Sequence, residues 1–353
     1  MCIRDSRSIG LSAGQPPVGT MIWLLAGTLM LAVIHALGSG AVDIPAATVV
    51  SALLGQQVGS DADLVIWTLR LPRVLLGVIA GAGMGIAGAA MQGLMRNPLA
   101  DPGLVGVSSG AALAAAAVVV LGERAMNPGG WAASALLPLA AFAGAALTTA
   151  LVYVASRRNG RSSVTLMLLS GIAINALAMS GIGLLLFMAS DAQVRMFTFW
   201  TLGSLAGATW PGVAASGCAV AVALLTLSRK AGPLDTLALG EAQAAHLGVA
   251  VGGLNRACVV LIALSVGATT ALTGTIGFIG LIAPHVARRL VGPAHRRLLP
   301  ASALAGALLV VLADSAARTW VSPAELPIGV LTALFGAPFF MLLLRRRAAH
   351  DGR

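Results

Sequence analysis

The chain has 353 residues, of which 58% are hydrophobic and only 10% charged, with a mean hydropathy of +0.92 and a net charge of +10. A soluble domain carries about 25% charged residues, so this composition excludes a water-facing globule and a disordered chain. It also excludes a soluble enzyme on a membrane anchor, because no polar stretch is long enough to build one. The basic excess reads as the cationic side of a membrane protein rather than as a nucleic-acid footprint.

Apolar runs of helical length recur along the chain, which points to spanning helices rather than barrel strands. A bilayer core takes about 20 apolar residues per helix. After a polar segment 1–20, spans are predicted at 21–40, 68–94, 104–122, 131–155, 164–188, 209–228, 255–275, 277–291, 301–318 and 326–344. The run 277–291 is short and holds Pro284 and His285. Ten spans put both termini on one side. With the N-terminus in the cytoplasm, every Lys and Arg falls inside except Arg70, Arg73, Arg124, Arg195 and Arg318. One miscounted span would destroy that asymmetry. The expected organisation is a cytoplasmic segment 1–20, a transmembrane domain 21–347 and a cytoplasmic tail 348–353.

A shift of 186 residues superimposes Arg70 on Arg256, Gly81-Ala82 on Gly267-Ala268 and Pro98 on Pro284. In the ten-span topology the two copies start on opposite sides, the inverted plan of many transporters. Gly83-Met84-Gly85-Ile86-Ala87-Gly88 fits a dinucleotide fingerprint but lies inside an apolar helix. Gly77, Gly81, Gly85, Ala89 and Gly93 recur every four residues, so they form a small-residue stripe for close helix packing. Cys218 and Cys258 lie in apolar runs and read as small packed hydrophobes.

Arg70-Leu71-Pro72-Arg73 and Arg318 sit at outer span ends. They either snorkel to the interface or pair with carboxylates of a docking protein. Arg96-Asn97-Pro98-Leu99-Ala100-Asp101-Pro102-Gly103 breaks the helix at the inner end of span two, as a gate or a turn. The inner loop 229–254 reads as two short helices with a turn at Gly240. It is amphipathic and either lies on lipid or plugs into a partner. No phosphate-loop lysine motif and no metal motif occur, so any ATP drive comes from another subunit. Two rival classes remain at this point. A membrane enzyme would need clustered catalytic residues, and an ion-coupled carrier would need a buried charge, for which Asp314 is the main acidic candidate.

Five segments carry a family resemblance: RLPR (70–73), GAAMQGLMRNPLADPGLVGVSSGA (88–111), LALGEAQAAHLGV (237–249), GTIGFIGLIAPH (274–285) and AELPIGVLTALFGAPFF (324–340). In this order they resemble the FecCD-type permeases of iron-siderophore, haem and cobalamin ABC importers. The resemblance implies an all-α fold of ten transmembrane helices, the type II ABC importer or cobalamin-permease-like fold. It implies a homodimer in the bacterial inner membrane, two cytoplasmic ATPase subunits holding ATP-Mg, and a periplasmic or extracellular binding protein. No cofactor or metal is implied for this chain.

Carried over residue by residue, Arg70, Arg73 and Arg318 match the binding-protein docking positions. Leu239, Gly240, Glu241, Ala245, Leu247 and Gly248 match the coupling segment, placed at about 233–249. Asn97, Pro98 and Leu99 match one cytoplasmic gate; Ser163, Val164 and Thr165 match the other, with Val164 in place of a polar residue. Residues 190–210 resemble the haem-permease branch more than the siderophore or cobalamin branches. There Arg195 would attract propionates, and Met196 and Phe199 would face an apolar ring; the other reading of this helix is an interfacial aromatic belt.

Overall fold

The computed structural model describes residues 18–351 apart from 41, 57–58, 126–130, 159–160 and 322–323. Most of the polar segment 1–20 thus lies outside the described residues, as do 352 and 353. The helices run α1 (Val18–Gly38), α2 (Ala46–Leu53), α3 (Ser60–Leu64), a π-turn (Val65–Arg70), α4 (Leu71–Leu94), a 3-10 turn (Pro102–Val105), α5 (Val107–Ala125) and α6 (Trp131–Ala155). A two-residue ribbon, β1 (Arg157–Arg158) with β2 (Arg161–Ser162), follows. Then come α7 (Val164–Phe187), α8 (Asp191–Thr201), α9 (Trp210–Arg229), α10 (Ala231–Leu237), α11 (Glu241–His246), α12 (Val251–Thr273), α13 (Ile279–Val291), α14 (His295–Thr319) and α15 (Ile328–Asp351).

Each of the ten expected spans holds one of these helices. Among the described residues seven are long and apolar enough to cross a membrane, and Val107–Gly122 and Ile328–Leu343 are shorter apolar stretches. α13 has 13 residues, about 20 Å at 1.5 Å per residue. It falls short of a full span. Its lead-in, 274–278, is irregular, and Phe278 has a left-handed φ of 67°. Non-helical backbone at membrane depth is tolerated where protein covers it. α15 continues to Asp351, so the expected separate tail from 348 begins as helix.

The centre of the molecule is the antiparallel pair α4–α14. A Cβ on Gly81 would lie 2.2 Å from the Gly306 carbonyl oxygen, and one on Gly85 2.1 Å from that of Ser302. Only glycine permits this approach, so the four-residue stripe is a packing surface. Gly83, on another face of α4, meets α12, where Ser265 Oγ donates to the Gly83 carbonyl at 3.0 Å. The packing pattern repeats: α4 packs on α13 and α14 as α12 packs on α5 and α6. Gly81 abuts α14 while its shifted counterpart Gly267 abuts Ala145 of α6. The match of Pro98 to Pro284 does not carry through, because the first lies in a turn and the second inside α13.

The outer surface is apolar. Leu169, Ile172, Leu177, Leu184 and Phe187 of α7 are exposed, as a lipid-facing belt requires. Cys258 is buried as expected. Cys218 is exposed because it lies on the outward face of α9, so the packed reading fails there.

Candidate functional site

At the end of the bundle where α4 starts and α14 finishes, five charged side chains converge. Arg73 holds Asp314 through Nε (3.1 Å to Oδ1, 3.2 Å to Oδ2) and Nη2 (2.9 Å to Oδ1), and its Nη1 reaches Glu325 Oε1 at 2.9 Å. Arg318 Nε lies 3.1 Å from Asp314 Oδ2, one helical turn away. Arg318 Nη2 and Nη1 donate to the carbonyls of Ala36 (2.9 Å) and Ser39 (3.0 Å). Arg70, delivered by the π-turn, donates to the carbonyls of Leu37 (2.7 Å) and Gly38 (2.8 Å) and to that of Val42. The last carbonyls of a helix lack intrahelical donors and carry partial negative charge. Arg70 and Arg318 therefore cap α1.

Arg70 and Arg318 are 8% and 7% exposed, so neither snorkels to the interface, and both turn guanidinium donors to the end of α1. Asp314 is occupied by two guanidinium groups, so it is not a free carboxylate for a transported cation. The i,i+4 spacing of Asp314 and Arg318 was the one part of the network visible in the sequence. Arg70→Met is expected to cost about 1–3 kcal/mol, the range for buried acceptors left unpaired. Arg195→Met, on an exposed helix face, is expected to cost little, and thermal unfolding midpoints of the two variants compare them.

The opposite end lies about 36 Å away along α4. There α10 and α11 form the two short helices expected, turned at Gly240 with φ 113°. Ala231, Leu234, Leu237 and Ala244 are buried and anchor the segment. Leu239, Ala245, Leu247 and Gly248 are exposed, and Glu241 is half-buried. The segment thus presents an apolar outer face at its tip. Asp235 of α10 accepts from the backbone N–H of His295 at 2.9 Å and lies 2.6 Å from its Nδ1, which ties α10 to the start of α14.

Asn97, Pro98 and Leu99 occupy the turn after α4, where Asn97 Oδ1 accepts from the Leu99 N–H at 3.0 Å. Asp101 caps the following 3-10 turn through the Gly103 N–H at 2.8 Å. That turn packs on α7, where a Cβ on Gly171 would lie 2.0 Å from the Leu104 carbonyl oxygen. Ser163, Val164 and Thr165 stand at the start of α7, two turns away. Val164 packs on the main core and Thr165 is exposed. The structure links the two stretches through the 3-10 turn.

α8 is held by a capping box between Ser190 and Gln193. It buries Phe197, stacked on Trp200 at 6.4 Å. Arg195, Met196 and Phe199 are exposed together on its other face. His285 meets Phe339 edge to face at 5.8 Å. Among the described residues no three His, Cys, Asp or Glu side chains are placed to share a metal ion.

Residues 28–346 match the FecCD transport family. The hemin transport system permease protein HmuU of Yersinia pestis is 40% identical over 336 residues, covering 93% of this chain and 97% of that protein. The cobalamin import system permease protein BtuC of Halobacterium salinarum is 40% identical over 310 residues, 88% of this chain and 81% of the relative. A solved chain described as a metal-chelate type ABC transporter in an inward-facing conformation superimposes with a TM-score of 0.82 at 30% identity, covering 93% of this chain and 99% of that one. The glycine-packed helical bundle, the two-helix turn at Gly240 and these full-length matches agree: the chain belongs to the FecCD transport family and is a multi-pass membrane permease of the ABC importer kind.

Proposed function

We propose that this chain carries haem across the bacterial inner membrane as the permease of a binding-protein-dependent importer. The observation behind the choice of haem is the 40% match to a hemin permease over 93% of the chain. On this reading two copies form the pathway between them, with both termini in the cytoplasm. Two separate ATPase subunits bind ATP-Mg and receive the exposed tip formed by Leu239, Gly240, Glu241, Ala245, Leu247 and Gly248. Their motion reaches α14 through the Asp235–His295 contact. Asn97, Pro98 and Leu99 close one side of the inner mouth, and Ser163, Val164 and Thr165 the other. The binding protein sits on the outer end, whose shape Arg70, Arg73 and Arg318 hold. Arg195, Met196 and Phe199 offer a cation and an apolar face to a porphyrin with propionate groups. The chain itself performs no covalent chemistry and binds no cofactor.

A second reading is a cobalamin or ferric-siderophore permease, favoured by the equal identity of the cobalamin relative. Uptake into proteoliposomes holding the chain, its ATPase and its binding protein separates the two. ATP-dependent uptake of haem is expected, reduced several-fold in Arg195→Glu. Uptake of cobalamin or a ferric siderophore without haem would overturn the haem assignment. Glu241→Arg is expected to leave ATP hydrolysis running without uptake, and normal coupled uptake would reject the coupling role.

A further inference from the structure

Beneath the α10–α11 segment lies an open pocket of about 670 Å³. Three separate parts of the chain build its wall: Gln92, Arg96 and Asn97 from the end of α4 and its turn, Asp235 from α10, and Arg288 and His295 from the α13–α14 junction. Two of these side chains are cationic guanidinium groups. Arg96 is exposed, held with a positive φ of 50°, and its Nη1 lies 3.9 Å from where a Cβ on Gly240 would stand. Arg288 Nη2 donates to Gln92 Oε1 at 2.9 Å. That bond orients the Gln92 amide, whose nitrogen is buried and has no hydrogen-bond partner. His295 Nε2 is likewise buried and unpartnered. The acid on the wall, Asp235, is already turned to His295 through its Oδ1. The pocket also opens at the N-terminus of the 25-residue helix α14, the positive end of its dipole.

We infer that this pocket binds a phosphate group. Arg96 and Gln92 stand on the end of α4 and its turn, and Arg288 on the α13–α14 junction. A tetrahedral oxyanion with several acceptor oxygens can accept from both sides at once, whereas a planar carboxylate matches one guanidinium. Burying the Gln92 N–H₂ without an acceptor is costly, and a phosphate oxygen supplies one. A bound phosphate would tie the gate turn to the α13–α14 junction, to which α10 is already joined through Asp235 and His295, stiffening the connection between coupling segment and gate. The site does not depend on which chelate the permease carries. Its phosphate comes either from free inorganic phosphate or from an anionic lipid headgroup at the inner surface.

The full-length chain is placed in phosphatidylcholine nanodiscs. Its thermal unfolding midpoint is followed against sodium phosphate and against sodium chloride at matched ionic strength and pH. A second arm uses nanodiscs containing phosphatidylglycerol, with retained lipid counted by native mass spectrometry. Wild type is expected to show saturable stabilisation by phosphate, or one retained phosphatidylglycerol. Arg96→Gln and Arg288→Gln are expected to weaken the effect about tenfold, as loss of a charge-assisted hydrogen bond predicts. Arg297→Gln, outside the pocket, is expected to behave as wild type. Because Arg96 is exposed, its variant keeps the test alive if Arg288→Gln does not fold. Stabilisation by phosphate identifies the free ion as the source, and lipid retention without it identifies the headgroup. Equal responses to phosphate and chloride, with lipid retention unchanged in both pocket variants, would overturn the site.

Discussion

Asp314→Leu is expected to destabilise the protein by about 3–5 kcal/mol, the usual cost of removing one partner from a buried ion pair. Asp314 is 3% exposed and is the shared counter-charge of Arg73 and Arg318. Its loss leaves two guanidinium groups facing each other at the end of the central helix pair. Arg318 keeps the carbonyls of Ala36 and Ser39, and Arg73 keeps the half-exposed Glu325. The damage should therefore be relieved in large part by Arg73→Met in the same chain, because a neutral, packed pair is often as stable as the ionic one. Arg73→Met alone is expected to cost less than Asp314→Leu, since Asp314 retains Arg318. Denaturation of the three variants, read as a double-mutant cycle, tests this. A cost for Asp314→Leu below about 1 kcal/mol, the value of an exposed pair, would show that the network does not hold this end together.

Gly85→Val is expected to abolish the folded protein, and Gly85→Ala to cost about 1–3 kcal/mol or more. The atom a Cβ would strike is the Ser302 carbonyl oxygen at 2.1 Å, and backbone cannot rotate aside as a side chain does. α4 and α14 would have to separate by about 1.3 Å or more, the gap between that approach and an ordinary contact. Gly81 and Gly306 meet each other's backbones one turn along, so the displacement would propagate to both charged ends of the pair. Gly183→Ala on α7 is the matched control. Nothing lies within 4 Å of its Cβ position, so the substitution is expected to be neutral or to stabilise by about 0.5–1 kcal/mol through helix propensity. Size-exclusion profiles and unfolding midpoints of the detergent-solubilised variants distinguish the outcomes. Wild-type behaviour of Gly85→Val would mean that the two helices do not touch along this stripe.

The sequence by itself determined the membrane class, the ten helical segments and the packing role of the glycine stripe. A bilayer forces each spanning segment to satisfy its own backbone hydrogen bonds, so apolar windows alone locate the helices, and a four-residue glycine period marks a contact face. The turn at Gly240 was legible for a similar local reason: glycine tolerates the positive φ that divides α10 from α11. The limits of 277–291 were less legible, because the irregular backbone before α13 is permitted only by the protein that covers it.

What the tertiary structure alone decided is the use of the charged residues. Arg70, Arg73, Arg318 and Asp314 all appeared available for function when read in order along the chain. Arg73 and Asp314 are 241 residues apart, and Asp235 and His295 are 60 apart. Their pairing depends on which helices become neighbours. In so uniformly apolar a chain, neighbours are chosen by the shapes of small residues facing one another across two helices, and no local pattern records that choice.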